Sequence, residues 1–435
     1  MKEDSEPIAS FGEVFDDMIF EMITDPYDAT GFIFEYWEGK KRRKGSVTDE
    51  VWHDDKRFVP FRAKSGLVRA VRFPPKSQAF GSMEELASSV RQIFSSYAYL
   101  TPEVASILAA FSFATWVVDC LPGAPILYFV GPRETSDMVL RLLACTCARA
   151  VLLSGVDVSG LATIPAGLRV TMLLAERYIS RAVVRVLGTA QNPHFHSVRG
   201  NKTLNLYGAK VFVTDSAGAD GRGLELCIPP PRKPVPMLTN VEAEKIAAET
   251  QPKMLGYRIQ NYQRVRQAQI DCEKFLPLSS QEIYAWLAPI LGCKDLQSVV
   301  TKYLLEMTKE AAALRYTNLE CVVAEAVLTF THESEMKGFF VGDAAERVRD
   351  ILKGRHEDTE VTDKTAGSVL RGFGIRPERI TEGYWIELTD AVRQQIHTIA
   401  EARNVLAIQD GVPRCPYCRK PEEKDQLAEA GAKQL

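Results

Sequence analysis

Gly131 ends an apolar run, Ile126 to Val130, and is followed by Pro132 and then by RETSDMVLRLL, whose apolar residues recur at helical spacing. A strand that turns through glycine into a helix presents backbone N–H groups to an anion, which is the layout of a phosphate-binding loop. Set against G-x-x-x-x-G-K-[ST], Gly131 takes the first glycine. Ser136, Asp137 and Met138 then stand where the second glycine, the lysine and the hydroxyl belong. An aspartate repels a triphosphate where a lysine would clamp it, and a methionine cannot ligate Mg²⁺. Gly131, Arg133 and Ser136 are therefore read as vestigial phosphate-loop positions, with Arg133 as a loop cation able to reach a phosphate.

Hydrolysis by such a site also needs a strand ending in Asp-Glu, the Asp holding Mg²⁺ through water and the Glu polarising the attacking water. Here VTMLLAE puts Ala175 in place of the Asp and keeps Glu176. Two independent metal contacts are missing together, so the pattern predicts loss of hydrolysis and no catalytic residue. Thr214, after VFV, takes the position of a γ-phosphate sensor, and Arg222 that of an arginine finger before the next apolar run. These two and Glu176 are vestigial on this reading, and with the Asp gone Glu176 is better read as a strand-end carboxylate paired with a nearby arginine.

Three other groups bear on binding. Lys40, Lys41, Arg42, Arg43 and Lys44 form the densest charge run, a turn that either contacts phosphate or is a solvated loop between strands. Lys364, Ser368 and Arg371 share the exposed side of a C-terminal helix, and Arg376 and Arg379 follow it. Cys415 and Cys418, in RCPYCRK, have the spacing of half a zinc knuckle. No second C-x-x-C or histidine pair follows, and His397, the nearest histidine, falls in a helical stretch. The spacing therefore predicts free thiols, with a metal site completed only between two copies. Pro193 to His196, PHFH, reads as a loop or a partner-contact segment. No G-x-S-x-G, H-E-x-x-H, EF-hand or G-x-G-x-x-G pattern occurs, which leaves hydrolase, metalloprotease and dinucleotide readings unsupported.

The remaining chain must position these residues. At 435 residues, with 46% hydrophobic and 25% charged, it is long enough for several globular domains. Its apolar stretches are shorter than the about 20 residues a membrane span requires. MKEDSEPIAS is acidic where a signal peptide is basic, so a cytoplasmic location is expected. Nine cysteines, mostly within apolar runs, fit reduced thiols. A net charge of -3 gives no global attraction to nucleic acid, so DNA contact would rest on a local patch.

Helical spacing from Phe11 to Met22 predicts a short helix, followed by an aromatic strand with Phe32, Phe34, Tyr36 and Trp37. Strand-like pieces run from Val47 to Phe73, and helices from Met83 to Tyr97 and from the Thr101–Pro102 start onward. Five short strands then alternate with helical stretches: Ile126 to Val130, Ala150 to Leu153, Val170 to Leu174, Lys210 to Val213 and Leu224 to Ile228. That alternation predicts a parallel sheet. IPPPRKPVPM, with five prolines, marks a boundary. Helices follow over Val241 to Glu249, Met254 to Gln267, Ser280 to Leu291 and the region Leu296 to Thr331. The last unit reads helix (Asp343 to Lys353), helix (Thr362 to Phe373), hairpin (Ile380 to Leu388), helix (Ala391 to Ala402), the order of a winged helix.

In this order the elements resemble the helicase-like, AAA+-type P-loop ATPases found beside primases in phages, plasmids and integrative elements. The resembling pieces are ILAAFSFATWVVDCLP, PILYFVGP, VTMLLAE, YGAKVFVTD, GRGLELCIPP, QPKMLGYRIQNYQRV and AGSVLRGFGI with GYWIEL. The resemblance implies an α/β fold with an AAA+-like P-loop core at 101–232, an N-terminal α+β region at 1–100, an α-helical lid at 233–337, a winged helix at 338–410 and a C-x-x-C tail at 411–435. Active members bind ATP with Mg²⁺, oligomerise and act on DNA. With the lysine, hydroxyl and Asp replaced, no cofactor is expected here. The expected function is a non-hydrolysing, DNA-binding or scaffolding component of a replication complex, with DNA, replication proteins of the same element and further copies of itself as partners and no membrane contact. The alternatives are a divergent active ATPase, and a regulatory protein-interaction module without nucleic acid.

Overall fold

A computed structural model describes residues 6–28, 31–39, 45–62, 66–165, 167–199, 202–214, 223–230, 233–275, 278–314, 317–333, 336–357, 359–403, 405 and 417. Lys40 to Lys44, Arg222, Cys415 and Cys418 lie outside the described residues. The chain divides into two compact units, one of Met1–Phe275 with Ser279–Leu305, the other of Leu276–Leu278 with Glu306–Leu435.

The first unit opens with two small sheets. Gly12–Val14, Met18–Thr24, Phe32–Glu38 and Ser46–Thr48 form an antiparallel sheet in that order. Ile8–Ser10, Lys56–Pro60 and Val51–His53 form the other. The helix expected over Phe11 to Met22 is thus two strands. Gly12 at φ +134° departs from helical backbone, and a tight turn, in which the Phe15 N–H donates to the Met18 carbonyl (2.7 Å), reverses the chain. Met18–Thr24 is then buried on both faces, so its run of apolar residues answers to burial and not to a 3.6-residue period. Phe20 stacks edge-on with Phe34 at 4.8 Å and tilts against Phe58 at 5.4 Å, which ties the two sheets together.

Helices α1 (Met83–Ala98) and α2 (Pro102–Trp116) come next. Ser82 and Glu85 form a capping box on α1, and Thr101 caps α2 with Pro102 at its first position. The five-stranded sheet follows: β1 (Ile126–Val130), helix α3 (Arg133–Thr146), β2 (Ala150–Leu153), β3 (Thr171–Leu174), β4 (Lys210–Thr214) and β5 (Leu224–Cys227). All pairings are parallel and the order is β5-β1-β4-β3-β2. The molecule is therefore mixed α/β around a parallel sheet.

Helix α4 (Asn240–Arg266) packs on α3. The two helices expected on either side of residues 250–253 are this one helix, with Pro252 inside it. Pro252 lacks an N–H and interrupts the helical ladder, but its carbonyl accepts from the Gln78 N–H at 2.9 Å. One turn on, Gly256 lies so close to that segment that a Cβ would sit 2.1 Å from the Gln78 carbonyl oxygen. Contact from a distant part of the chain thus supports a helix that local propensity would break.

The second unit contains α5 (Leu319–His332), β6 (Gly338–Phe340), α6 (Val341–Gly354), α7 (Asp363–Gly372), β7 (Glu378–Ile380), β8 (Gly383–Glu387) and α8 (Asp390–Ala402). Its antiparallel sheet runs β6-β8-β7. Its own core includes Val323, Val327, Phe339, Ala345, Val348, Leu370, Ile386 and Ile396. Among the described residues no helix is long and apolar enough to cross a membrane.

Candidate functional site

After β1 the chain leads by α3 to β2 at the far edge, whereas β5, the strand that follows β4, lies on the other side of β1. Open parallel sheets bind ligands at the carboxyl ends of strands where the connections diverge in this way. The crevice between the ends of β1 and β4 is therefore the place to look. Gly131 follows β1, Thr214 ends β4 in register with Val130, and Glu176 lies just beyond β3. The sequence-selected residues at Gly131, Thr214 and Glu176 thus share one edge of the sheet.

Their local geometry does not match a phosphate cradle. Only Gly131 and Pro132 separate β1 from α3. Ser136 and Asp137 therefore lie inside the helix and not in a loop wrapped around an anion. The buried Ser136 hydroxyl donates to the Pro132 carbonyl at 3.0 Å. Arg133 is exposed and faces Asp137 one turn along at 3.7 Å. Thr135, wholly buried, has a hydroxyl with no hydrogen-bond partner among the described residues. The helix start has no side-chain cap, and Glu134 stands in its first turn. Gly131 is tightly enclosed, since a Cβ there would lie 2.5 Å from the Ile228 carbonyl oxygen. It serves the close passage of the chain leaving β5.

The edge spends its charges on itself. The Glu176 carboxylate accepts from the Gly155 N–H at 3.1 Å, joining the ends of β3 and β2. Arg177, which the motif reading passed over, donates from its guanidinium to the Gly131 carbonyl at 2.9 Å. It holds the β3 and β1 ends together and places a cation at the crevice without the loop lysine. Ala175 carries no metal-binding oxygen, and among the described residues no group of three or more His, Cys, Asp or Glu side chains is arranged to hold a metal ion. A cleft of about 1090 Å³ lies elsewhere, lined among others by Asp25, Arg62, Arg69, Arg72, Glu244 and Gln251.

A second group of charged residues was invisible to motif reading because its members are far apart in the chain. Arg258 on α4 binds Glu21 at 2.6 Å, grips Asp119 with two nitrogens at 2.6 and 2.7 Å, and donates to the Trp116 carbonyl. Arg149 binds Glu21 at 2.7 Å, and Arg169 meets Asp119 at 3.1 Å. These groups, of which Arg169 is only half-buried, line a cavity of about 40 Å³. Asp119 is fully enclosed, and although burial opposes its charge, Arg258 and the other arginines hold its carboxyl below the usual range. The network joins the N-terminal sheet, the end of α2 and α4. Both of its carboxylates, Glu21 and Asp119, are held by arginines.

In the second unit, Thr362 caps α7 by accepting from the Thr365 N–H at 3.2 Å, and Ala366, Gly367 and Leu370 face the core. That orientation leaves Lys364, Ser368 and Arg371 exposed. Gly374, at φ +79°, ends the helix. Arg376 and Arg379 are exposed along the way to the β7–β8 hairpin, where Arg379 pairs across with Tyr384. All five residues selected from the sequence lie on α7 or on the segment running into the hairpin. Asp363, Glu378, Glu382 and Glu387 are exposed among them, so the face is of mixed sign.

No family model matches the chain, and no curated protein matches it. Among solved structures it is similar to an A-form apo structure of the NrS-1 C-terminal region, with 10% identity over 85% of this chain and 95% of that one and a TM-score of 0.33. A second apo structure of that region gives 10% identity, 84% and 96% coverage and a TM-score of 0.32. Overlap this low leaves fold and function to the chain's own strand order and side chains.

Proposed function

We infer that the chain is a helicase-like, AAA+-type protein without ATP hydrolysis, which acts as a DNA-binding or scaffolding component of a replication complex. The observation that carries this reading is the two-residue passage from β1 to α3 at the point where the sheet connections diverge. It keeps the architecture of a nucleotide site while leaving no loop for the phosphates. Ala175 and the engaged Glu176 support the same reading, because neither is available to hold a metal-bound water. The order α5, β6, α6, α7, β7, β8 with its β6-β8-β7 sheet supports a winged helix, whose second helix and hairpin are the elements that meet DNA.

The test is thermal unfolding with ATP and Mg²⁺, run beside DNA binding by fluorescence anisotropy. A nucleotide binder at a hundredfold excess over its Kd gains about 2.7 kcal/mol, whereas this chain should show no shift at millimolar ATP. DNA affinity should fall with salt and fall again in Arg371→Ala. Mg²⁺-dependent ATP turnover abolished by Glu176→Gln would overturn the proposal. The exposed carboxylates Glu378, Glu382 and Glu387 favour a second reading, a regulatory module that contacts only proteins. Binding to DNA that is weak and unchanged in Arg371→Ala would select it.

A further inference from the structure

At the amino ends of β2 and β3, opposite the edge that carries Gly131, two arginines stand in a backbone conformation that residues with a Cβ disfavour. Arg149, which directly precedes β2, has φ +48°, and Arg169, two residues before β3, has φ +49°. The Thr171 N–H donates to the Arg149 carbonyl at 3.2 Å, which ties the two strand starts together. Backbone outliers of this kind persist where the surroundings over-determine them, and they cluster at functional sites. Both arginines line the cavity of about 40 Å³, whose wall also takes in residues of the N-terminal sheet, the end of α2 and α4.

The charge of this cavity does not balance. Glu21 and Asp119 are the carboxylates in its wall, and Arg149, Arg169 and Arg258 are the arginines that pair with them. Arg72, a further arginine in the wall, has Glu244 as its own partner at 2.5 Å. Three cations against two anions leave one positive charge in excess, where burial makes an unpaired charge costly. Burial lowers the Arg149 pKa, and although Glu21 opposes that shift, Arg258 and Arg169 add to it. Donors are in excess as well. Among the described residues Arg169 meets Asp119 through a single nitrogen, and Arg149 commits its two terminal nitrogens to the Leu168 and Phe11 carbonyls and Glu21 while none of these bonds uses its Nε.

A small anion supplies both what the charge and what the donors lack. A water needs about 10–15 Å³ of such space, so the cavity has room for an ion of halide size. Beside Glu21 and Asp119, which only accept, the several oxygens of a phosphate would meet carboxylates as well as guanidiniums, whereas a halide can lie against N–H groups alone. Solvent reaches the wall at Arg72 and Arg169, whose side chains are 33% and 37% exposed. We propose that this cavity binds one halide ion, chloride under ordinary conditions, against Arg149 and Arg169 where the N-terminal sheet, the amino edge of the parallel sheet and α4 meet.

The experiment is thermal unfolding of the full-length chain in sodium chloride, sodium bromide or sodium phosphate, with sodium gluconate holding the ionic strength constant. Chloride and bromide should each raise the melting temperature saturably, by about 3 °C, and phosphate should not. Arg169→Gln, which balances the charge, should lose most of that rise. A melting temperature indifferent to halide means that the cavity holds water only and overturns the proposal, as does an equal rise with phosphate or an equal rise in Arg169→Gln. Should that variant fail to fold, crystals of the wild-type chain grown in sodium bromide decide the matter. An anomalous bromine peak inside the cavity supports the site, and a cavity without one sinks it.

Discussion

At the carboxyl edge of the parallel sheet, Glu176 accepts from the Gly155 N–H and Arg177 donates to the Gly131 carbonyl. On α7 and the segment that follows it, Lys364, Arg371, Arg376 and Arg379 stand in solvent. The first region has polar groups of the types that do chemistry and uses them to join strand ends. The second presents its charge outward. Polar side chains alone therefore do not mark a site, since what matters is whether their hydrogen-bonding capacity is already used within the fold.

The contrast predicts that polar substitutions in the first unit change stability, while those on the α7 face change binding. The largest effect is expected for Arg258→Met, which leaves Glu21 and Asp119 short of their buried partner. Breaking such a pair from one side typically costs about 3–5 kcal/mol. Denaturant unfolding measures it, and a loss below about 1 kcal/mol would break the contrast at its strongest point.

Lys210 comes next. It is wholly buried, with only the Ala190 and Gly208 carbonyls, among the described residues, within hydrogen-bonding distance of its ammonium nitrogen, and burial lowers its pKa from 10.5 to about 7. Below pH 7 the folded and unfolded chains are both protonated there and this contribution is flat. Above it the unfolded chain holds a proton the folded one lacks. Stability should rise with pH by roughly 1.4 kcal/mol per unit toward the unfolded value. Lys210→Met should lose that slope and gain most over wild type at or below pH 7; identical pH profiles would show that the lysine stays charged in the fold.

A smaller change is expected at Thr135. Its buried hydroxyl lacks a described partner, and an unmet buried polar group costs about 1–3 kcal/mol. Thr135→Val should raise the melting temperature or leave it unchanged, and a clear fall would point to a bound group at that hydroxyl. The smallest effect on stability is expected for Lys364→Ala and Arg371→Ala, within about 0.5 kcal/mol of wild type. Either one unfolding the second unit would make the α7 face structural, like the sheet edge.

The sheet was legible because buried parallel strands carry an uninterrupted apolar run, as Ile126–Val130 does. The α7 face was legible because Thr362 and Gly374 bracket one amphipathic helix. The strands within Phe11 to Met22 were misread because a chain buried on both faces shows no period of two. Pro252 concealed the continuity of α4, since the contacts that support it come from Gln78. The Glu21–Arg258 pair spans 237 residues, and only folding brings it together.

The two-residue passage between β1 and α3 also bears on what sequence change could make of this chain. Substituting lysine for Asp137 would set a cation inside a helix, not over a ligand, and any side chain at Gly131 would collide with Ile228. A working phosphate loop would need residues inserted there together with rerouting of the chain after β5. Substitutions at Asp137 and Gly131 alone would therefore not make such a loop.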